Sequence, residues 1–214
     1  MVRNVLAALV LGCASATPAA AQGDAVEEML ARISGTMSVM SVPTMAEGKL
    51  GGCSLQFETL QPDYKYLAGN YVKTSGTVGL LESQGGVAVV VKVVAAELMP
   101  ADLATRYLDV SRAYLVAPDF RTNFDSLVAS QPSDNGGRFS VYGIEPSVMM
   151  LIDGVMSNRV SVAFGIGDGS SDIQSDIEID VVDVSQDGQK SRSPDTATAF
   201  LACIKALLES VPTD

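Results

Sequence analysis

The segment Gly167-Asp168-Gly169-Ser170-Ser171-Asp172 sets Asp168, Ser170 and Asp172 at alternate positions, the spacing of the first three oxygen donors in a calcium loop. Hard cations need several oxygens converging on one point, and a glycine-containing turn is the usual way to bring them there. The match then breaks down. Ile173 stands where an EF-hand loop needs glycine, and its twelfth position carries no Glu. The competing reading is a solvated turn that leads into a strand. The exposed face of that strand carries Asp176, Glu178 and Asp180, opposite Ile177, Ile179 and Val181.

Two further sets of side chains have chemical potential. Met37, Met40 and Met45 lie close together, and Met149 adjoins Met150. Thioethers bind Cu(I), but the chain has no histidine to complete such a site, and methionine equally fills cores and apolar grooves. Tyr64 and Tyr66 share one face if residues 64–68 are a strand, and with Tyr71 they form a candidate binding surface of amphipathic anchors. The bland alternative is strand tyrosines with their hydroxyls at the surface.

The lack of histidine closes Ser-His-Asp and Cys-His hydrolysis, His-ligated zinc and imidazole acid–base chemistry. There is no Gly-x-Ser-x-Gly elbow, Ser-x-x-Lys pair, P-loop, dinucleotide fingerprint or HExxH. A carboxylate pair remains available in principle, although six Tyr, six Phe and no Trp would line a sugar cleft thinly. A net charge of −11 argues against nucleic acid and anionic membrane surfaces, because phosphate binding needs clustered cations.

Residues 1–21 have the pattern of a signal peptide. Arg3 supplies the positive end, Val5–Leu11 a short apolar run, and Ala19-Ala20-Ala21 the small residues for cleavage before Gln22. The apolar run is too short to span a bilayer, and no later window is long enough. The Ala-rich leader has a bacterial style, which points to the periplasm or the medium. Val10-Leu11-Gly12-Cys13 resembles a lipobox, and the alternative is a lipoprotein anchored through Cys13. After cleavage the charge becomes −12, since the leader removes Arg3 and no acid.

Cleavage also leaves two cysteines in an oxidising compartment, where an even number implies a bridge. Alternation places Cys53, Leu55 and Phe57 on one strand face. In the last helix Ala197, Phe200, Cys203, Ile204, Leu207 and Leu208 form one stripe. Both thiols point to a core, and a Cys53–Cys203 disulfide is expected to pin the C-terminal helix to the first strand.

The elements that position these residues follow from period and punctuation. Asp24 caps a first helix with an apolar stripe at Val26, Met29, Leu30 and Ile33, ended near Gly35. Residues 36–48, with Pro43, read as an irregular segment. Strands are expected at 50–59, 64–68, 70–81, 87–98, 110–117, 124–129, 138–144, 159–166 and 176–184, with a short helix over 100–108. Residues 146–157 fit either a buried strand or a helix. Ser193-Pro194-Asp195 starts the last helix with a cap, a proline and an acid.

Regular β-α-β alternation is absent, so the expected class is α+β: a curved antiparallel β-sheet with the helices near both termini packed on one face, and a partly closed barrel as the alternative. The organisation is a leader (1–21), an N-terminal helix and irregular segment (22–48) and a single α+β domain (49–214). The expected role is an exported, non-enzymatic protein that binds an envelope protein or a small apolar ligand through its sheet, with no cofactor. A carboxylate-dependent hydrolase and a calcium-dependent adhesion protein are the alternatives.

Overall fold

The computed structural model describes residues 20–83, 86–99 and 104–210, with side chains from residue 25 onward. Residues 1–19, including Cys13, lie outside this set, as do Gln84 and Gly85. In chain order the elements are α1 (Ala20–Arg32), β1 (Gly35–Ala46), β2 (Lys49–Pro62), β3 (Tyr71–Ser83), β4 (Gly86–Leu98), β5 (Thr105–Tyr107), β6 (Val110–Val116), β7 (Leu127–Pro132), β8 (Arg138–Tyr142), α2 (Ile144–Met156), β9 (Arg159–Ile166), β10 (Asp172–Glu178), β11 (Val181–Val184), β12 (Lys190–Arg192) and α3 (Asp195–Ser210).

All strand pairs are antiparallel. The large sheet has the order β1-β2-β3-β4-β8-β7, with β5 paired to the far end of β4. Register aligns Cys53, Leu80 and Val89 in one row, Leu55, Val78 and Val91 in the next, and Phe57, Gly76 and Val93 in a third. These rows form the inner face. A Cβ at Gly76 would lie 2.4 Å from the Phe57 ring, so only glycine lets that ring cross the sheet.

A second sheet, β10-β9-β6, lies on this inner face through Ala113, Leu115, Val162, Phe164, Ile173 and Ile177. Thr36 ties the layers together, donating from Oγ1 to the Asp176 carbonyl at 3.3 Å and accepting the Glu178 N–H at 2.8 Å. Phe200, Ile204 and Leu207 of α3 join the same core. The structure contains the Cys53–Cys203 disulfide, which closes 150 residues of chain. The result is the α+β architecture, with sheets that do not close into a barrel.

The terminal helices cover opposite faces rather than one. Leu30 of α1 packs with Leu60 and Tyr71 and is flanked by Met37 and Leu98. Strand alternation turns Leu60, Tyr71 and Leu98 away from Cys53, Val78 and Val89. Those apolar strand ends make a patch that α1 covers, beginning at Ala20 rather than at an Asp24 cap.

Several local expectations are corrected. Residues 36–48 are not irregular: β1 is an outer strand bonded to β2, where Pro43 is tolerated. Glu47 and Gly48, at φ +52° and +80°, form its two-residue hairpin turn. Residues 64–68 are a loop, because the buried Asp63 carboxylate accepts the N–H groups of Lys65, Tyr66 and Leu67. In the expected 100–108 helix, residues 100–103 lie outside the described set and 105–107 are β5. The ambiguous 146–157 segment is helix α2. The 176–184 strand breaks at Ile179-Asp180, where Asn158 bonds both N–H groups, so β10 and β11 belong to different sheets.

Two predictions follow from this packing. Replacing both bridge cysteines with serine is expected to lower stability by about 2–5 kcal/mol in urea unfolding; a midpoint equal to wild type would contradict the role given to the bridge. Hydrogen bonds from Lys190 and Arg192 hold the Glu178 carboxyl below its ordinary 4.5. Its contribution is therefore complete above that value and is lost as pH falls through the lower folded one. Glu178→Gln should cost about 1 kcal/mol or less at pH 7, given its exposure to solvent, and should soften the acid destabilisation below pH 4. Acid sensitivity identical to wild type would contradict this.

Candidate binding site

The loop after β6 is built on one buried amide. Asn123 is fully buried; its Oδ1 accepts the Leu115 N–H at 2.8 Å and its Nδ2 donates to Ser147 Oγ at 3.1 Å. The Asn123 carbonyl accepts from Ser126 Oγ at 2.8 Å, and the Gly143 N–H donates to the Ser126 carbonyl at 2.8 Å. This lattice fixes a 3-10 turn (Phe124–Ser126) and delivers the chain into β7. Upstream, Phe120 sits at φ +65° and is 83% exposed, an aromatic held in an unfavourable backbone region at a loop tip.

Among the described residues β7 is the outermost strand of the large sheet, paired only to β8. All six of its residues are exposed and none is charged; Val128 is 70% exposed. The free edge is therefore uncharged, bounded by a register shift between Leu127 and Ala129 and by Pro132.

Beside the edge lies a cleft of about 510 Å³, with its wall on β6 and its floor on β7–β8. Arg112, Phe124, Arg138 and Ser140 are among its lining residues, and Tyr142 closes the bottom, donating to the Ala113 carbonyl at 2.5 Å. An adjoining depression of about 250 Å³ shares Arg112 and Phe124 and adds Tyr114 and Asp172. There Asp172 accepts from the Tyr114 hydroxyl at 2.6 Å and pairs with Arg112 at 2.7 Å, and the Phe124 ring meets Tyr114 edge-on at 5.3 Å. Burial, reinforced by the Asp172 carboxylate, pushes the Tyr114 hydroxyl up to about 12, so it is a fixed donor rather than an acid–base group.

A second groove, about 400 Å³, crosses the outer face of the large sheet past Gln56, Glu58, Thr77 and Lys92. Its charged groups are already satisfied: Glu58 pairs with Lys73 at 3.0 Å and Lys92 with Asp134 at 2.6 Å.

The structure does not gather the calcium candidates. Asp168 and Ser170 are exposed, while Asp172 is engaged by Arg112 and Tyr114. The Lys65 ammonium donates to the Asp172 carbonyl and the Tyr66 hydroxyl to the Ser171 carbonyl, so a cation already sits against that segment. No group of three acidic or cysteine side chains suited to a metal occurs among the described residues. Asp176, Glu178 and Asp180 are paired with Arg159, Lys190 and Arg192.

The tyrosine set also separates. Tyr64 is 79% exposed in its loop, Tyr66 clasps the 167–172 turn, and Tyr71 is buried under α1. Met37 packs under α1 and Met150 in the main core, while Met40, Met45 and Met149 are exposed. Sequence reasoning missed Arg112, Phe124, Arg138 and the free edge. The available signal was the alternation of Arg138, Ser140 and Tyr142, which share the inner face of β8.

Compared with known protein families, curated proteins and solved structures, the chain matches none. Because Asp172 is already neutralised, millimolar calcium is expected to leave the melting midpoint unchanged, whereas a rise specific to calcium over magnesium would contradict the reading of this turn.

Proposed function

We propose that the chain is an exported, non-enzymatic binding protein that captures an extended segment of an envelope partner on the free edge of β7. The observation that carries this reading is the edge itself: an outermost strand with every residue exposed and none charged. Folded proteins shield edges with charge, proline, cover or bulges, because unpaired backbone groups recruit another strand; on β7 the bulge and the proline lie at its two ends and leave the stretch between them open. Strand addition uses those groups for affinity and alternate side chains for selectivity. Leu127, Val128 and Phe124 supply exposed apolar surface along the same rim.

Export is supported by the leader pattern of residues 1–21 and by the disulfide, which suits an oxidising compartment. No helix among the described residues is long and apolar enough to cross a membrane. Binding is favoured over acid–base chemistry by the state of the carboxyls. Among the described residues the carboxyls with displaced titration, including Glu97, Asp134, Asp176 and Glu178, are held low by their hydrogen-bond and ion-pair partners, the state of structural rather than general-acid groups.

Random peptides displayed on phage and selected on the mature protein test the proposal. Enrichment of extended, alternately apolar sequences whose synthetic peptides shift the backbone amides of residues 127–131 is expected. Ser130→Pro, which removes an N–H from the open side of the strand, should weaken that binding at least tenfold, and Val128→Lys should also weaken it. Failure to enrich any sequence, or a footprint away from β7, overturns the reading.

A further inference from the structure

Arginines in this acidic chain are mostly neutralised: Arg106, Arg112, Arg121, Arg159 and Arg192 each pair with a carboxylate. Arg138 does not. Half-buried on the inner face of β8, it donates from Nε to the Val110 carbonyl at 3.1 Å, and among the described residues its two terminal nitrogens have no partner. Nε anchoring fixes the plane of the guanidinium and leaves the outer fork of donors at the cleft.

Hydroxyls surround it. Ser111 Oγ, in the cleft wall, is shut off from solvent with no hydrogen-bond partner. Ser130 and Ser140 share one mutual hydrogen bond at 3.1 Å, and Ser140 also bonds the Tyr142 hydroxyl beneath it. Phe124 and Leu127 add apolar surface beside this polar end. Charge limits the ligand. Arg112 is neutralised by Asp172 and Asp168 lies out at the solvent-exposed rim, so Arg138 is the one uncompensated cation inside the cleft and can offset one negative charge at most. That balance suits a single negative charge and opposes a phosphate-like polyanion.

We infer that the cleft between β6 and β7–β8 is a ligand site for a monocarboxylate with an apolar body, its carboxylate held by the Arg138 fork and the Ser111 hydroxyl. Bidentate guanidinium–carboxylate geometry gives both strength and orientation, and the apolar part lies along Phe124 and Leu127. This site uses side chains of the cleft, not the backbone edge of β7, so it stands or falls separately from strand capture.

Calorimetric titration of the mature protein with sub-micellar octanoate, octanol and inorganic phosphate tests it. Octanoate is expected to bind at least tenfold more tightly than octanol, with phosphate failing to compete. Arg138→Met should remove that preference while binding octanol as wild type does, and Arg138→Lys should retain part of it. Equal affinity for octanoate and octanol in the wild-type protein overturns the inference without recourse to any variant. Competition by phosphate at the octanoate concentration overturns it as well.

Discussion

Sealing the inner face of the large sheet governs the rest of the molecule. The rows headed by Cys53, Leu55 and Phe57 run across β2, β3 and β4 as continuous apolar surface, and neither α3 nor the small sheet covers it alone. The small sheet takes most of it, α3 closes the β2 side, and the disulfide fixes α3 there. Hydrophobic burial sets the arrangement and a few buried polar groups set its register: Thr36 across the layers, Asn123 under the 3-10 turn, Asp63 in its loop.

Incomplete cover produces the functional surface. The small sheet ends at β6, while the large sheet continues through β8 to β7. Beyond β6 the inner face turns polar, with Arg138 and Ser140 replacing valines, and a cleft opens where packing stops. The free edge and the cleft are thus consequences of one mismatch in sheet width. The outer-face groove, by contrast, has its charged groups neutralised internally.

What was legible in the sequence was what repeats. Alternation at Cys53-Ser54-Leu55-Gln56-Phe57 and the stripe through Phe200, Cys203, Ile204 and Leu207 located both half-cystines and the core faces they join. β1 was obscured by Pro43 and small residues, since an outer strand can carry a proline that a central one cannot. The Tyr64–Tyr66 alternation misled because a single buried carboxylate, Asp63, captured three successive N–H groups and outweighed local strand propensity. The Asp168–Asp172 spacing was genuine, but its chemistry depended on Arg112 and Tyr114, far away in sequence. The Arg138–Tyr142 alternation could be read only once β8 was known to face inward, because Phe139 and Val141 otherwise look like its buried side.

Among the described residues β7 is a strand with one edge unpaired. Hydrogen exchange of the individual amides from Leu127 to Gln131 tests it most directly, because antiparallel pairing directs alternate N–H groups toward β8 or toward solvent. Ala129 and Gln131 should exchange slowly and Ser130 fast in the free protein. Uniform protection would show the edge to be covered, uniform rapid exchange would show the strand not to form, and either result contradicts the account.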